Sequence, residues 1–578
     1  MNSSVTVLSH KEQKEAFVTG WNGTSPWELV LLTCVSVPIG LACYQSVVTW
    51  YAQALSINQK PPTTRWQRLR FILWRVLEWL ILFLTAGPVA VLGAMASYVW
   101  KQRLYRRQLV AIEAVTIWTP LLLGQTTWLY PWGVLYLLLE VMLVIIVTIR
   151  MMENRQNDLA VTAQPIRVTN NDRQAPHTLS LLLLQRTCMS LYRAALLVLT
   201  MVAILAVDFP LFPRRLVKTE TTGYSLMDLG AASFVLAAGF VSRRARSTRE
   251  GTPQRWPWKR LLPLLGLGLL RLLTHKGLDY QEHASEYGVH WNFFFTLTVI
   301  TMAAHSNSIP VGWRIPASAM VLYQISLSLL GLQSWVEHAP RSCPTTESMC
   351  WNLWVANREG ILGCVGYLSL YWMSEWIAQT CYWTIPAPDD TTNVNSATRP
   401  SRLVLAALAV TAAWSMATVV LRIPVSRRTT NLPFCLWVLA LNLWLLEAIR
   451  MVVVWAAAAA PTTQEESTSL PSPLPAKTTV QGKEKISGIA AAEPAKQQQQ
   501  PHLPIVLMAI NRHGLLLFVL ANLLTGLVNL TINTLKVSNV FAFGILLSYM
   551  GTIGAVAVAI DLITGGERKE KQMAKKVQ

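Results

Sequence analysis

The stretch Met201–Asp228, MVAILAVDFPLFPRRLVKTETTGYSLMD, decides how the rest of the chain is read. An apolar run of helix length, Leu196 to Val207, stops at Asp208, Pro210 and Pro213, residues that cannot continue it. Arg214, Arg215, Lys218 and Glu220 follow before the next apolar run begins near Leu226. Five ionisable groups therefore stand at one mouth of a membrane helix pair. Charge at membrane depth is costly, so a cluster of it at a helix end binds an anion, catalyses, or snorkels to the interface.

Composition sets the class. Of 578 residues, 52% are hydrophobic and only 14% charged, and 24 are Trp, which together describe a polytopic all-α membrane protein with aromatic belts at both interfaces. The net charge of +19 is concentrated in loops, and no basic stretch sits in a soluble binding module. Anionic lipid headgroups are the expected partners, and nucleic acid is not. The eight cysteines show no CxxC and no His–Cys ligand spacing, so neither a metal site nor a redox motif is expected. Cys343 and Cys350 share one loop and could pair if that loop is luminal. The first 26 residues lack the apolar core of a cleavable signal peptide.

Apolar runs near bilayer length fall at 27–50, 76–98, 109–126, 131–150, 186–207, 225–242 and 259–274. Further runs lie at 289–304, 314–334, 359–378, 402–422, 432–459, 513–534 and 538–563. The run at 76–98 contains Glu78 and is the doubtful one, so the expectation is one bundle of thirteen spans, or fourteen if 76–98 crosses. The chain then divides into a polar N-terminal segment (1–26), a membrane core (27–460), a Pro/Ser/Thr/Gln-rich linker (461–504), the last two spans (505–563) and a basic tail (564–578).

Arg243, Arg244, Arg246, Arg249, Arg255, Lys259 and Arg260 crowd one short loop, and Arg150, Arg155, Arg167 and Arg173 another. The positive-inside rule puts both in the cytosol. By alternation the loops holding Asp208 to Glu220, Lys276 to Val289, Glu337 to Glu359 and Pro424 to Asn431 face the lumen together. The linker and the tail would be cytosolic. Lys575 and Lys576 stand where a dilysine endoplasmic-reticulum retrieval signal would, although a basic cytosolic tail reads the same way. Asn22 opens a formal glycosylation sequon too close to a span for easy modification, and no sugar is assigned to it.

The chain resembles the PIG-W-type glucosaminyl-phosphatidylinositol acyltransferases, the inositol-acylating enzymes of GPI-anchor synthesis. The resemblance rests on KEAFVTGWNGT (Lys14–Thr24), AILAVDFPLFPRRLVKTE (Ala203–Glu220), SLMDLG (Ser225–Gly230) and YQEHASEYGVHWNFFFT (Tyr280–Thr296). It continues in NREG (Asn357–Gly360), SRRTTNLPFCLW (Ser426–Trp437) and NLLTGLVNL (Asn522–Leu530). What it implies is an endoplasmic-reticulum enzyme that moves a fatty acyl group, expected to be palmitoyl, from acyl-CoA to the inositol ring of glucosaminyl-phosphatidylinositol. Acyl-CoA enters as co-substrate, and no bound cofactor is expected. In that family the Asp of the DFP motif and the Lys of the KTE motif are the catalytic pair; they stand here as Asp208 and Lys218.

Acyl transfer from a thioester to a hydroxyl needs a group to take the hydroxyl proton, donors for the oxyanion, and a slot for the chain. Asp208, at the end of an apolar helix, is the candidate base. Two prolines would fold the segment back so that the Lys218 ammonium faces its carboxylate. An interfacial salt bridge is the bland alternative for that pair. Arg214 and Arg215 have the fork geometry for a phosphate, with Arg358, Arg427 and Arg428 as further candidates of the same type. His283, His290 and Asn292 are candidate substrate contacts. If 286–293 is helical, Glu286 and His290 share a face, which makes His290 the reserve base. A multi-span lipid transporter or scramblase is the competing class, but the two halves of the chain show no matching hydropathy.

Overall fold

The computed structural model describes residues 10–57, 104–128, 133–161, 174–246, 258–275, 284–305, 310–341, 349–384, 401–459 and 503–565. The run at 76–98, Cys343 and with it the expected Cys343–Cys350 pairing, and nearly all of the linker and tail lie outside these residues. Each of the other thirteen apolar runs, fourteen less the one at 76–98, coincides with a described helix. The described residues form no strand, and a single parallel bridge joins Gly23 to Tyr224.

Six helices are long and apolar enough to cross a membrane: Pro26–Thr49, Leu182–Ala206, Arg402–Val420, Leu432–Ala457, Gly514–Thr531 and Asn539–Thr564. Shorter apolar helices stand among them at Gln108–Gly124, Val134–Ile146, Leu226–Phe240, Leu261–Leu273 and Phe293–His305. The chain is a multi-pass, all-α membrane protein. The run at 314–334 is broken: Arg314–Leu329 and Leu332–His338 meet at 68°. Gly331, at φ +72°, takes the left-handed conformation that ends the first helix.

The apolar faces sort the helices into layers. Leu182–Ala206 and Leu432–Ala457 are each 78% buried and form the axis, whereas Arg402–Val420 and Gly514–Thr531 are 17% buried and present leucines outward. Exposed Leu322, Leu329, Leu523, Leu530 and Val540 would form a costly surface in water and a normal one in lipid. Inside the bundle, several polar side chains pair with one another, as hydrocarbon favours. Tyr192 donates to Asn442 Oδ1 at 2.8 Å, and Asn442 donates to Ser233 at 2.9 Å. Glu113, fully buried, accepts the backbone N–H groups of Val506 and Leu507 at 2.9 and 2.7 Å and so caps the helix Ile505–Arg512.

The loops expected to share one face do meet. Thr24 N donates to Tyr224 O at 2.7 Å, Gly223 N to Val425 O at 2.9 Å, and Ser426 Oγ to Thr221 O at 2.8 Å. Gly223, at φ +133°, lies so close to the Asn22 carbonyl that no side chain fits. The N-terminal segment, the strap after Asp208 and the 424–431 turn are thus sewn together over one end of the bundle.

Candidate active site

The helix Gln174–Ala206 ends in a tight turn: Asp208 N and Phe209 N donate to Leu205 O and Ala206 O, three residues back. Pro210 and Pro213 have no N–H with which to continue. Arg214 then closes the turn, its guanidinium donating to the carbonyls of Val207 (2.9 Å), Phe209 (2.7 Å) and Phe212 (3.0 Å), with the Phe17 ring centroid 4.0 Å away. A cation over the carbonyls at a helix C-terminus is a favourable cap. The strap beyond it is pinned to the next helix, Leu226–Phe240, where Ser225 caps Met227 N and donates to Leu216 O. Asp228, in the first turn, accepts from the N–H and the hydroxyl of Thr219 at 3.3 and 2.7 Å. This places the neighbouring Lys218 over a cavity.

The cavity has a volume of about 590 Å³ and two distinct ends. Its polar end carries Asp208, Lys218, Glu220, Glu286, His290 and Arg427. Its apolar end runs into the bundle between Leu196, Leu199 and Ala203 on one side and Phe234, Leu445 and Phe518 on others. Asp208 Oδ2 accepts from Asn529 Nδ2 at 2.7 Å, and Asn529 Oδ1 accepts from Lys14 Nζ at 3.0 Å. Burial raises the Asp208 carboxyl above its ordinary value, against the pull of the Asn529 hydrogen bond and of Lys14 and Arg214.

Lys218 does not face Asp208. Its ammonium donates to Glu286 Oε1 at 2.6 Å, and Arg427 Nη2 stands 3.3 Å from the other oxygen of the same carboxylate. Arg427 also lies 3.5 Å from Asp228 Oδ1. Lys218 and Asp208 thus stand on one cavity in separate hydrogen-bond networks. The side chain of Lys218 is 36% exposed, and desolvation lowers its ammonium below the ordinary lysine value, with Glu286 opposing the shift and Arg427 adding to it.

The remaining candidates divide sharply. Arg215 grips Glu28 through Nε and Nη2, the shortest contact 2.7 Å, and Thr24 donates to the same carboxylate. Arg358 is fully buried and donates to the carbonyls of Val336, Ala339 and Pro340. Arg428 bonds Val336 O, Glu337 O and Glu359 Oε1. None of Arg215, Arg358 or Arg428 lines the cavity, and Arg214 is committed to its turn. Of the five arginines, only Arg427 is a cavity residue. His283 lies outside the described residues.

The expected Glu286–His290 helical pair is also absent. That helix is Ala284–Tyr287, and Gly288, at φ +106°, ends it. Asn357 Oδ1 then accepts His290 N and Trp291 N at 2.7 and 2.9 Å, ordering the loop that carries His290 to the cavity. Asn292 lines the cavity as well, but its amide donates to Gly268 O and its oxygen accepts Phe294 N, which makes it the start of the helix Phe293–His305.

The GWT1 family model matches residues 10–560. The chain belongs to the GWT1 family. Relatives named GPI-anchored wall transfer protein 1 include that of Aspergillus oryzae, 36% identical over 394 residues, which are 64% of this chain and 71% of the relative. That of Yarrowia lipolytica is 33% identical over 392 residues, 64% of this chain and 72% of the relative. An Arabidopsis thaliana protein is 33% identical over 380 residues, 64% and 73% of the two chains. Membership of the GWT1 family supports acyl transfer, and nothing among the described residues favours the transport alternative.

Two residues linked to Asp208 escaped the reading of the sequence. Lys14 and Asn529 fall inside blocks that carried the resemblance but were given no chemistry. A signal existed for Asn529. Asn522 and Asn529 are seven residues apart in an apolar helix, hence on one face, and polar side chains in such helices point inward to partners or cavities.

Proposed function

We propose that Asp208 is the general base and Lys218 the oxyanion partner of this GWT1-family inositol acyltransferase of GPI-anchor biosynthesis. The observation that carries the reading is the cavity itself, which sets a desolvated carboxylate and an ammonium at the polar head of an apolar slot. The slot would take the fatty chain of acyl-CoA, with palmitoyl the expected length, and the polar head would take the inositol of glucosaminyl-phosphatidylinositol. Asp208 removes the proton of the attacking inositol hydroxyl as its oxygen bonds to the thioester carbonyl carbon. Lys218, steered by Glu286, faces the charge that develops on the carbonyl oxygen. When the C–S bond breaks, the CoA thiolate leaves and takes the proton from Asp208. A thiol of pKa about 8.5 needs little acid help to leave.

Arg427 fixes Glu286 and Asp228 together, and so holds the Lys218 strap against the cavity. The Arg243–Arg246 helix caps the opposite end of the Leu226–Phe240 segment. The positive-inside rule then supports a luminal Asp208 face, and a role in GPI-anchor biosynthesis supports an endoplasmic-reticulum membrane. Labelled acyl-CoA and glucosaminyl-phosphatidylinositol in microsomes test the assignment. Formation of inositol-acylated lipid by the wild-type chain and not by Asp208→Asn is the expected result, and product from Asp208→Asn at the wild-type rate overturns it.

A further inference from the structure

The N-terminal helix, His10–Val18, sits at the cavity mouth. Phe17 covers Arg214 at 4.0 Å, Val18 lines the cavity, and Lys14 reaches Asn529 on the helix Gly514–Thr531. Lys14 Nζ, the Asn529 amide and Asp208 Oδ2 form an unbroken chain, 3.0 and 2.7 Å long at its two links.

An asparagine amide has two different ends, one accepting through oxygen and one donating through NH₂, and an ammonium can only donate. Lys14 therefore admits only the oxygen end of Asn529, and the NH₂ end must turn to Asp208. An N–H donor suits an ionised carboxylate oxygen. Turned over, the amide would present its oxygen to Asp208 and pair only with a protonated carboxyl, which is no base.

We propose that Lys14 and Asn529 are positioning residues for acyl transfer: Lys14 selects the amide orientation, and Asn529 thereby holds Asp208 in the proton-accepting form with Oδ1 left for substrate. The proposal rests on the reading of Asp208 as base. The charged and titratable groups around Asp208 are Lys14 from the N-terminal helix and Arg214 from its own turn, with Lys218, Glu220, Arg271, Glu286, His290 and Arg427 elsewhere on the cavity lining. Arg214 is held by three backbone carbonyls, so Lys14 is the cation that speaks to Asp208 through a side-chain amide.

The test compares two variants of the full-length enzyme in lipid nanodiscs. Lys14→Arg keeps a side chain that only donates, whereas Lys14→Gln can accept and so lets Asn529 turn over. The readout is kcat/KM for acyl-CoA across pH. A base works when deprotonated, so weaker support for the carboxylate moves the acid limb to higher pH. Lys14→Gln should displace that limb upward by about one unit, giving about tenfold lower kcat/KM at acid pH with the alkaline limb unmoved. Lys14→Arg should keep the wild-type limb, and Asn529→Leu should shift it as Lys14→Gln does. A purely structural role would lower rates equally at every pH, or lower thermal stability in both Lys14 variants alike, and either result overturns the proposal. Asp208→Asn separates the two claims. If it is active, the base reading fails; if it is inactive and Lys14→Gln leaves the limb in place, only the positioning role fails.

Discussion

Lys218 gives its ammonium to Glu286 at 2.6 Å while Arg427 holds the other oxygen of that carboxylate, so the cation of the site is steered from the opposite cavity wall and not by Asp208. Glu286→Gln keeps the shape but weakens both ion pairs. It should lower kcat by about tenfold to a hundredfold, the scale expected when a catalytic group is misplaced by roughly 1 Å. Lys218→Ala should cost about a hundredfold to a thousandfold. Lys218→Arg should recover little, because a planar fork cannot take the place of a point charge. Steady-state assays on all three variants would refute the arrangement if Glu286→Gln were indistinguishable from wild type.

Asp208→Asn preserves the size of the side chain and a hydrogen bond to Asn529 but removes proton acceptance. Acyl transfer should fall by about a hundredfold to ten-thousandfold, with normal recovery of folded protein. If His290→Ala is inactive while Asp208→Asn is not, the base is His290.

The pH profile follows from two opposed shifts. Asp208 must be deprotonated to work and burial raises its carboxyl, so the acid limb should lie above the ordinary carboxylate range. Lys218 must be protonated and desolvation lowers its ammonium, so the alkaline limb should lie below the ordinary lysine value. The expected kcat/KM curve is a bell narrowed from both sides, measured over a pH range in which the protein stays folded. An alkaline limb untouched by Lys218→Ala would remove Lys218 from the profile.

Arg215 grips Glu28 and does not line the cavity, so its contribution is to stability. Glu28→Gln should lower unfolding free energy by about 1–2 kcal/mol, the lower part of the range for charged hydrogen bonds because Arg215 is 39% exposed. Thermal denaturation in detergent would read this, and KM for acyl-CoA should be unchanged. A raised KM at unchanged stability would return Arg215 to phosphate binding.

Along the helix Gly514–Thr531, Phe518 and Asn529 are eleven residues apart, a rise of about 16 Å along the helix axis between the Asp208 contact and a ring that lines the cavity. Phe518 packs edge-on against Phe234, with centroids 6.4 Å apart, and the pair lines the deep end. A rise of that order suits a long fatty acyl chain such as palmitoyl. Phe518→Ala should move the preferred acyl-CoA to longer chains, as product analysis with a series of chain lengths would show. An unchanged preference would place the end of the chain elsewhere.

Much of this was legible in the residues. Apolar runs of bilayer length are a local property, and thirteen of them reappear as helices because a backbone in hydrocarbon must satisfy itself within the segment. The proline-broken run after Val207 announced the strap, and the short cationic loops grouped the chemistry-bearing segments at one end before any contact was known. The partner of each charged side chain was not legible. Arg214, Arg215, Arg358, Arg427 and Arg428 look alike as loop arginines, yet all five are engaged by backbone carbonyls or acids of the protein, and of the five only Arg427 also lines the cavity. Asp208 and Lys218 are ten residues apart in sequence, but their partners, Asn529 and Glu286, come from segments 321 and 68 residues away. Helix and loop follow from the run of residues itself. The pairing of charges in a low-dielectric interior depends on which distant segments pack together, and only the tertiary structure decides that.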